Sequence, residues 1–238
     1  MRILVCIKQL DSGEINRFDA HALEQALLLA DEKPQLAVDV VTLGPESAQK
    51  IARRAFGMGV DNAIHIVAQD YKYPSSYVTA SCIAHAVETI SYDLVLTGLM
   101  SEDMMSGQTG PMLAEILGFP CVTGVVSVHF FSEKKIEIER ELENGARETL
   151  SVQIPAVLTI QAGINTPRYP SLSMMLKADR KDILSFEIDE LQVNCNAGHL
   201  TCAGFEAPEK TRAGRILAGS LQEKAEQVYL FLRQKNLI

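Results

Sequence analysis

Four short apolar runs alternate with amphipathic helical stretches over the first half of this chain, and that rhythm leaves few folds open. The runs are residues 3–7, 37–43, 62–67 and 92–98. They are continuous rather than alternating in polarity, as in strands buried on both faces of a parallel sheet. Between them apolar residues recur at three- and four-residue spacing. One set is Leu23, Ala26, Leu27 and Ala30; the next is Ala48, Ile51, Ala52, Ala55 and Phe56; the third is Ala80, Ile83, Ala84, Val87 and Ile90. Strand and helix repeated in this order mean right-handed βαβ units. The expected fold is α/β, a doubly wound and mostly parallel sheet. Asp19 stands where it can cap the first helix.

The fourth run leads into the clearest candidate site. It ends in Gly98, residues 99–110 are small and polar, and residues 111–117 read as a helix with Pro111 at its first position, where no amide hydrogen is needed. Gly118 and Pro120 stop that helix. In an open parallel sheet, ligands bind outside the carboxyl ends of the strands. A helix N-terminus placed there offers an anion free amide hydrogens and the positive end of a dipole. Gly107 and Gly110 would let backbone approach a phosphate, and Gln108 and Thr109 can add side-chain hydrogen bonds. The other reading of the same residues is an ordinary βα turn. The stretch is neither a P-loop nor a G-x-G-x-x-G fingerprint.

After Pro120 the pattern changes. Residues 125–131, 135–142 and 148–152 read as strands, with turns near Ser132-Glu133 and Asn144-Gly145. In the second of these, Ile136, Ile138 and Arg140 alternate with Glu137, Glu139 and Glu141, as in a meander strand with one polar face. No linker composition separates the meander from the sheet, so it extends the same domain. Pro155 precedes another apolar strand at 156–160, and a loop with a short helix fills 163–181. From about Asp182 periodicity is lost until a last helix at 220–234, where Leu221, Ala225, Val228 and Leu232 repeat. So long a patternless stretch is uncommon inside a compact domain. The expected organisation is an α/β domain at 1–182 and, at 183–238, an arm that lies on a partner.

Composition narrows the function classes. A chain of 238 residues, 47% hydrophobic and 22% charged, buries a real core in one or two domains. Its apolar runs are far too short to span a bilayer. Residues 1–8 do not read as a signal peptide, since the run is short, no small-residue cleavage site follows, and Lys8 closes it. The five cysteines include no C-x-x-C pair, and Cys6 and Cys82 fall in apolar patterns, which fits buried thiols in a reducing cytoplasm. A net charge of -8 argues against nucleic acid and suits solubility or a basic protein partner. The histidines show no metal-ligand spacing, and no Ser-His-Asp or Cys-His arrangement is evident. Neither a metal site nor a catalytic residue is expected.

Set on these segments, a series of motifs resembles the β subunit of electron-transfer flavoproteins. The first strand ends in Lys8, and Asn16-Arg17-Phe18-Asp19 is followed by Ala22-Leu23-Glu24-Gln25-Ala26. Then come Leu43-Gly44-Pro45, Phe56-Gly57-Met58-Gly59-Val60-Asp61 and Gln108-Thr109-Gly110. The most specific pieces come late: Glu139-Arg140-Glu141-Leu142-Glu143, Ile154-Pro155-Ala156-Val157 and Asn165-Thr166-Pro167-Arg168-Tyr169-Pro170-Ser171-Leu172. Their order and spacing cover nearly the whole chain.

The resemblance implies a heterodimer whose α subunit supplies most of the site for a redox-active FAD. The pair takes electrons from dehydrogenases, often acyl-CoA dehydrogenases, and passes them on. The β subunit is then an electron-carrier subunit rather than an enzyme. It binds a nucleotide of its own: AMP in the ordinary carriers, a second FAD in the electron-bifurcating group. By motif position that site comprises Cys6, Asn16, Arg17, Phe18, Asp19 and Leu43, with Asp103, Ser106, Gly107, Gln108, Thr109, Gly110, Met112 and Ala114. Asp103 would take ribose hydroxyls, since a carboxylate beside phosphate is repelled. The family also places an aromatic at Phe18 near the partner's flavin. It has the acidic residue at Glu141 dock the mobile domain of the α subunit, and it has Leu172 insert into a pocket on acyl-CoA dehydrogenases. The plainer alternatives are a core residue at Phe18, an Arg140–Glu141 strand-face pair and a buried staple at Leu172.

Leu99, Met100 and Ser101 stand where the family has a basic residue, Gln and Ala, and the bifurcating group favours arginine at position 99. Residues 202–219, conversely, resemble the longer arms of bifurcating members. The expectation is AMP, with a second FAD as the alternative. Two rivals come from other classes. One is an adenine-nucleotide hydrolase or ligase of the pyrophosphatase type, for which Gln9-Leu10-Asp11-Ser12-Gly13 is a poor phosphate loop. The other is a nucleotide-sensing module like the universal stress proteins.

Overall fold

The computed structural model describes residues 1–69, 74–132, 134–191, 193, 204, 206, 214 and 216–238. In order, its strands are β1 (Arg2–Cys6), β2 (Ala37–Gly44), β3 (Asn62–Val67), β4 (Leu94–Gly98), β5 (Cys121–Phe130), β6 (Lys135–Glu141), β7 (Arg147–Gln153), β8 (Ala156–Ile160) and β9 (Leu184–Glu187). Its α-helices are α1 (Arg17–Glu32), α2 (Gln49–Met58), α3 (Ser76–Val87), α4 (Thr109–Leu117), α5 (Leu172–Ala178) and α6 (Leu221–Gln234). They fall into two units, residues 1–201 and 202–238.

The described strands of the first unit form a single sheet in the order β7-β6-β5-β8-β4-β1-β2-β3-β9. Every neighbouring pair is parallel except β5–β6 and β6–β7. This is the expected doubly wound, mostly parallel sheet, with the meander as its antiparallel edge. The continuous apolar runs have a direct cause. Ile3 and Val5 point into one core layer with α1 and α2, while Leu4 and Cys6 point into the other with α3 and α4. Successive strand residues face opposite sides, so both registers must be apolar. At the amino end of the strands, buried Asp39 accepts hydrogen bonds from Arg2 Nε (2.6 Å), Asn62 Nδ2 (2.8 Å) and the Tyr92 hydroxyl (2.9 Å).

Three local expectations change. Helix α4 begins at Thr109, so Pro111 is its third residue, still within the first turn where an amide hydrogen has no partner in the helix. Asp19 lies inside the first turn of α1 rather than capping it; the N-cap is Asn16. The stretch after Asp182 opens with strand β9, paired with β3, and Ile188 and Leu191 beyond it are buried. Four residues with one half-buried side chain, Phe186, are too few to show a period. Part of the expected arm, residues 192, 194–203, 205, 207–213 and 215, and Glu133 of the expected meander turn lie outside the described residues.

In the second unit, α6 opens with a capping box. Ser220 Oγ accepts the Glu223 N–H (3.4 Å), and the Glu223 carboxylate accepts the Ser220 N–H (2.6 Å). Leu221, Ala225, Val228 and Leu232 line one face of the helix with Ile238 beside them.

Candidate functional site

The strand order reverses at β1, which opens a crevice at the carboxyl ends of β1 and β4. Asp19 ties its two walls together. Its carboxyl oxygens accept the N–H of Lys8, just past β1 (2.8 Å), and of Gly98, ending β4 (3.0 Å). A Cβ on Gly98 would meet Phe18 Cβ at 2.7 Å and Asp19 N at 2.8 Å, so the start of α1 sits directly on the end of β4. Buried Asn16 makes no capping bond to its own helix. Its Nδ2 donates to Met100 O (2.9 Å) and its Oδ1 accepts the Glu102 N–H (3.1 Å), which holds the first part of loop 99–108. Lys8 Nζ pairs with Asp103 (2.7 Å). Further along the loop Ser106 Oγ meets Ser76 Oγ at the start of α3 (3.1 Å).

The loop then enters α4 with its donors open. Met105 (φ +51°) and Gly107 (φ +63°) take left-handed backbone, an uncommon setting for methionine and an easy one for glycine. Gln108, the N-cap, is exposed and its side chain caps nothing. Pro111 has no amide hydrogen, so those of Thr109 and Gly110 head the helix. Gly110 itself faces the sheet: a Cβ there would meet Thr159 Cγ2 at 2.5 Å and Thr97 Oγ1 at 2.8 Å. Its lack of a side chain is a packing requirement of α4 against β4 and β8. Ala114 is buried in the α3–α4 layer, and Met112 and half-buried Leu43 pack against that layer.

Arg17 departs from the other expected nucleotide residues. It is exposed and lines a separate groove of about 310 Å³ with Glu14, His21, Arg54, Arg168 and Tyr169. Helical geometry separates it from Asn16 and Asp19, because consecutive helix residues point about 100° apart.

Burial dominates the electrostatics of the crevice. Desolvation pushes the Asp19 carboxyl up to about 7, against the hydrogen bonds from Lys8, Asn16 and Gly98. Burial, and then the nearby Asp19, push the Cys6 thiol up, so it stays protonated and is no nucleophile. At Asp103 burial acts upward as well, but hydrogen bonds from Lys8 and Ser101 outweigh it and hold the carboxyl below the usual range.

Asp19 carries a pH prediction. Its value in the folded chain, about 7, lies above the ordinary 3.8, so between these limits the folded state binds a proton that the unfolded state releases. The contribution of Asp19 to stability is therefore greatest below that window and declines as pH rises through it. The melting temperature of the wild type, measured from pH 5 to pH 8, is expected to fall relative to that of Asp19→Asn, which cannot ionise. Parallel curves for the two proteins would show that Asp19 does not titrate there.

The residues expected to meet partners lie elsewhere on the first unit. Leu172 opens α5 and is 78% exposed, so it is not a staple for that helix. Met175 pins α5 instead: a Cβ on Gly57 of α2 would run into Met175 Sδ and into Pro170 Cβ. The segment leading to Leu172 is tied to α1. Arg168 grips buried Glu24 with Nε (3.0 Å) and Nη2 (3.0 Å) and also reaches Asp31 (2.7 Å). His21 Nε2 accepts the Gly163 N–H (3.3 Å), which leaves the proton on Nδ1 to donate to Asn165 Oδ1 (3.1 Å). Glu141 is exposed at the end of β6. Arg140 pairs across the ladder with Glu148 (2.6 Å) rather than with its neighbour Glu141, because adjacent strand residues point to opposite faces.

Sequence reasoning singled out neither Lys8 and Ser76 as clamps of the loop nor Glu24, His21 and Arg168 as clamps of the Leu172 segment. A lysine closing an apolar strand was visible; its partner 95 positions away was not. Among the described residues no cluster of His, Cys, Asp and Glu could hold a metal ion, and no helix is long and apolar enough to cross a membrane.

A family model described as the electron transfer flavoprotein domain matches residues 3–191. An electron transfer flavoprotein subunit beta from Bacillus subtilis is 34% identical, over 93% of this chain and 86% of its own length. One from Thermoanaerobacterium thermosaccharolyticum is 32% identical over the full length of both chains. The caffeyl-CoA reductase-Etf complex subunit CarD of Acetobacterium woodii is 29% identical, again over the full length of both.

Proposed function

The chain belongs to the electron transfer flavoprotein β-subunit family, and from that premise we propose that it binds AMP in the β1/β4 crevice and, paired with an α subunit, helps to hold a redox-active FAD. In this reading the cytoplasmic heterodimer carries electrons between a dehydrogenase, an acyl-CoA dehydrogenase or a similar flavoenzyme, and an acceptor. The flavin supplies the electron chemistry; the residues of this chain bind and position. The observation that carries the nucleotide assignment is loop 99–108, clamped across the crevice and delivering the uncapped start of α4. The residues fit an adenine nucleotide. Open amides suit its phosphate, Asp103 suits its ribose, and half-buried Leu43 and Phe18 give apolar contact near the ends of β2 and β4.

Leu172 is assigned to the dehydrogenase, Glu141 to the mobile domain of the α subunit, and the C-terminal arm with the apolar face of α6 to the α subunit. The hydrolase reading gains little from the segment after β1. That segment turns two of its amides on itself, Leu10 N–H to Glu14 O (2.9 Å) and Gly13 N–H to Leu10 O (2.8 Å).

The test is to denature the purified heterodimer and quantify what it releases. One FAD and one AMP per heterodimer are expected. Two FAD would replace this reading with the second one, a bifurcating subunit with its own flavin. The full-length match to a subunit of a caffeyl-CoA reductase complex favours that second reading; Leu99 in the place of the arginine weighs against it.

A further inference from the structure

Lys8 belongs to none of the motif positions assigned to the nucleotide, yet the fold brings it to that site. Its N–H is held by Asp19 (2.8 Å), which sets the direction in which the residue leaves β1. Its side chain crosses to loop 99–108, where Nζ lies 2.8 Å and 2.7 Å from the two carboxylate oxygens of Asp103. Asp103 does not depend on this partner for its place. Its Oδ1 also accepts the Met104 N–H (2.7 Å), and Ser101 bonds to the same carboxylate. Lys8 is partly exposed, and an ammonium has three donors, of which one carboxylate takes at most two.

The charges around the crevice give that remaining donor a purpose. Asp103 places an ionised carboxylate on its loop. A phosphate entering there meets like charge, and the start of α4 offers only roughly half a positive charge against it. Lys8 is the cation ion-paired to this loop among the described residues.

We propose that Lys8 is the phosphate-recognising cation of the site: paired with Asp103, it offsets the negative charge of the loop and presents its free donor to the phosphoryl group of the nucleotide. The inference rests on the nucleotide reading above and deepens it. Lys8 makes the site select a nucleoside monophosphate, or the phosphate end of a larger nucleotide, over the bare nucleoside.

The experiment titrates AMP and adenosine separately into nucleotide-depleted heterodimer, wild type and Lys8→Met. Methionine keeps the length and apolar stem of the side chain and removes the charge. A charge-assisted hydrogen bond lost at a partly buried site corresponds to a change in affinity of about tenfold. Wild type is therefore expected to prefer AMP to adenosine, and Lys8→Met to lose about tenfold in AMP affinity while adenosine affinity stays unchanged. The AMP preference of the wild type should also shrink as salt is raised. If Lys8→Met does not assemble, Lys8→Gln is the second neutral variant and should show the same selective loss. An equal loss for both ligands would make Lys8 a loop clamp and overturn the proposal, as would no loss at all. A wild-type heterodimer that takes neither AMP, adenosine nor FAD would overturn the nucleotide reading itself, and this proposal with it. A Lys8→Met variant with its AMP preference intact overturns the role of Lys8 alone.

Discussion

Leu172→Ala is expected to weaken binding of the proposed heterodimer to its proposed dehydrogenase partner by roughly tenfold to a hundredfold while leaving the fold untouched. A leucine side chain buried in a partner's pocket contributes about 1–3 kcal/mol, and tenfold in affinity corresponds to about 1.4 kcal/mol. Within this chain Leu172 is 78% exposed, so truncation removes little internal packing. Its backbone is well held. Ser171 caps α5 by accepting the Met174 N–H, Met175 fills the notch at Gly57, and the Arg168–Glu24 grip fixes the approach. A rigid segment presenting an exposed apolar side chain loses little conformational freedom on docking. Leu176 (61% exposed) and Tyr169 (85% exposed) extend the patch on either side. The measurement is dehydrogenase-dependent flavin reduction against partner concentration, beside thermal melting and nucleotide content. A large drop in melting temperature with unchanged saturation behaviour would show Leu172 to be structural and the partner assignment wrong.

Gly110→Val is expected to damage both stability and nucleotide content. The added Cβ would lie 2.5 Å from Thr159 Cγ2 and 2.8 Å from Thr97 Oγ1. Carbon atoms pack at about 3.5–4.0 Å, so α4 must lift from the sheet by roughly 1 Å or distort. Overpacking of this kind costs about 1–3 kcal/mol. Because α4 carries the open amides of the site, its displacement should also empty the crevice. Gly110→Ala, which adds the Cβ alone, should show a smaller version of both effects. If nucleotide is lost at an unchanged melting temperature, Gly110 serves ligand approach after all. Full occupancy with a normal melting temperature would count against both the packing role and the site.

Much of this protein was legible in its sequence. The apolar runs near residues 3–7, 37–43, 62–67 and 92–98 become β1 to β4, and the helical spacings between them become α1 to α3. Burial on both faces of a parallel sheet writes a local, periodic signal into the chain. The loop from Leu99 to Gln108 was legible for the same reason, as a polar break between a strand and a helix start.

Only the tertiary structure decided which distant residues meet. Strand β8, late in the chain, pairs with both β4 and β5, and β9 closes the opposite edge beside β3. Asp19 reads as a helix cap and is instead the clasp between β1 and β4; Lys8 reads as the end of a strand and meets Asp103 across the crevice. Arg17 stands between two crevice residues and faces a different groove. Gly110, expected to let backbone approach a phosphate, is also what seats α4 on the sheet. Periodicity reports whether a residue is buried, because burial depends on the local repeat of helix or strand. It carries no information on which strand lies alongside which, or on which polar group a buried carboxylate will find. Those follow from closing the whole sheet at once, when buried polar groups such as Asp19 and Asp39 find partners far away in sequence.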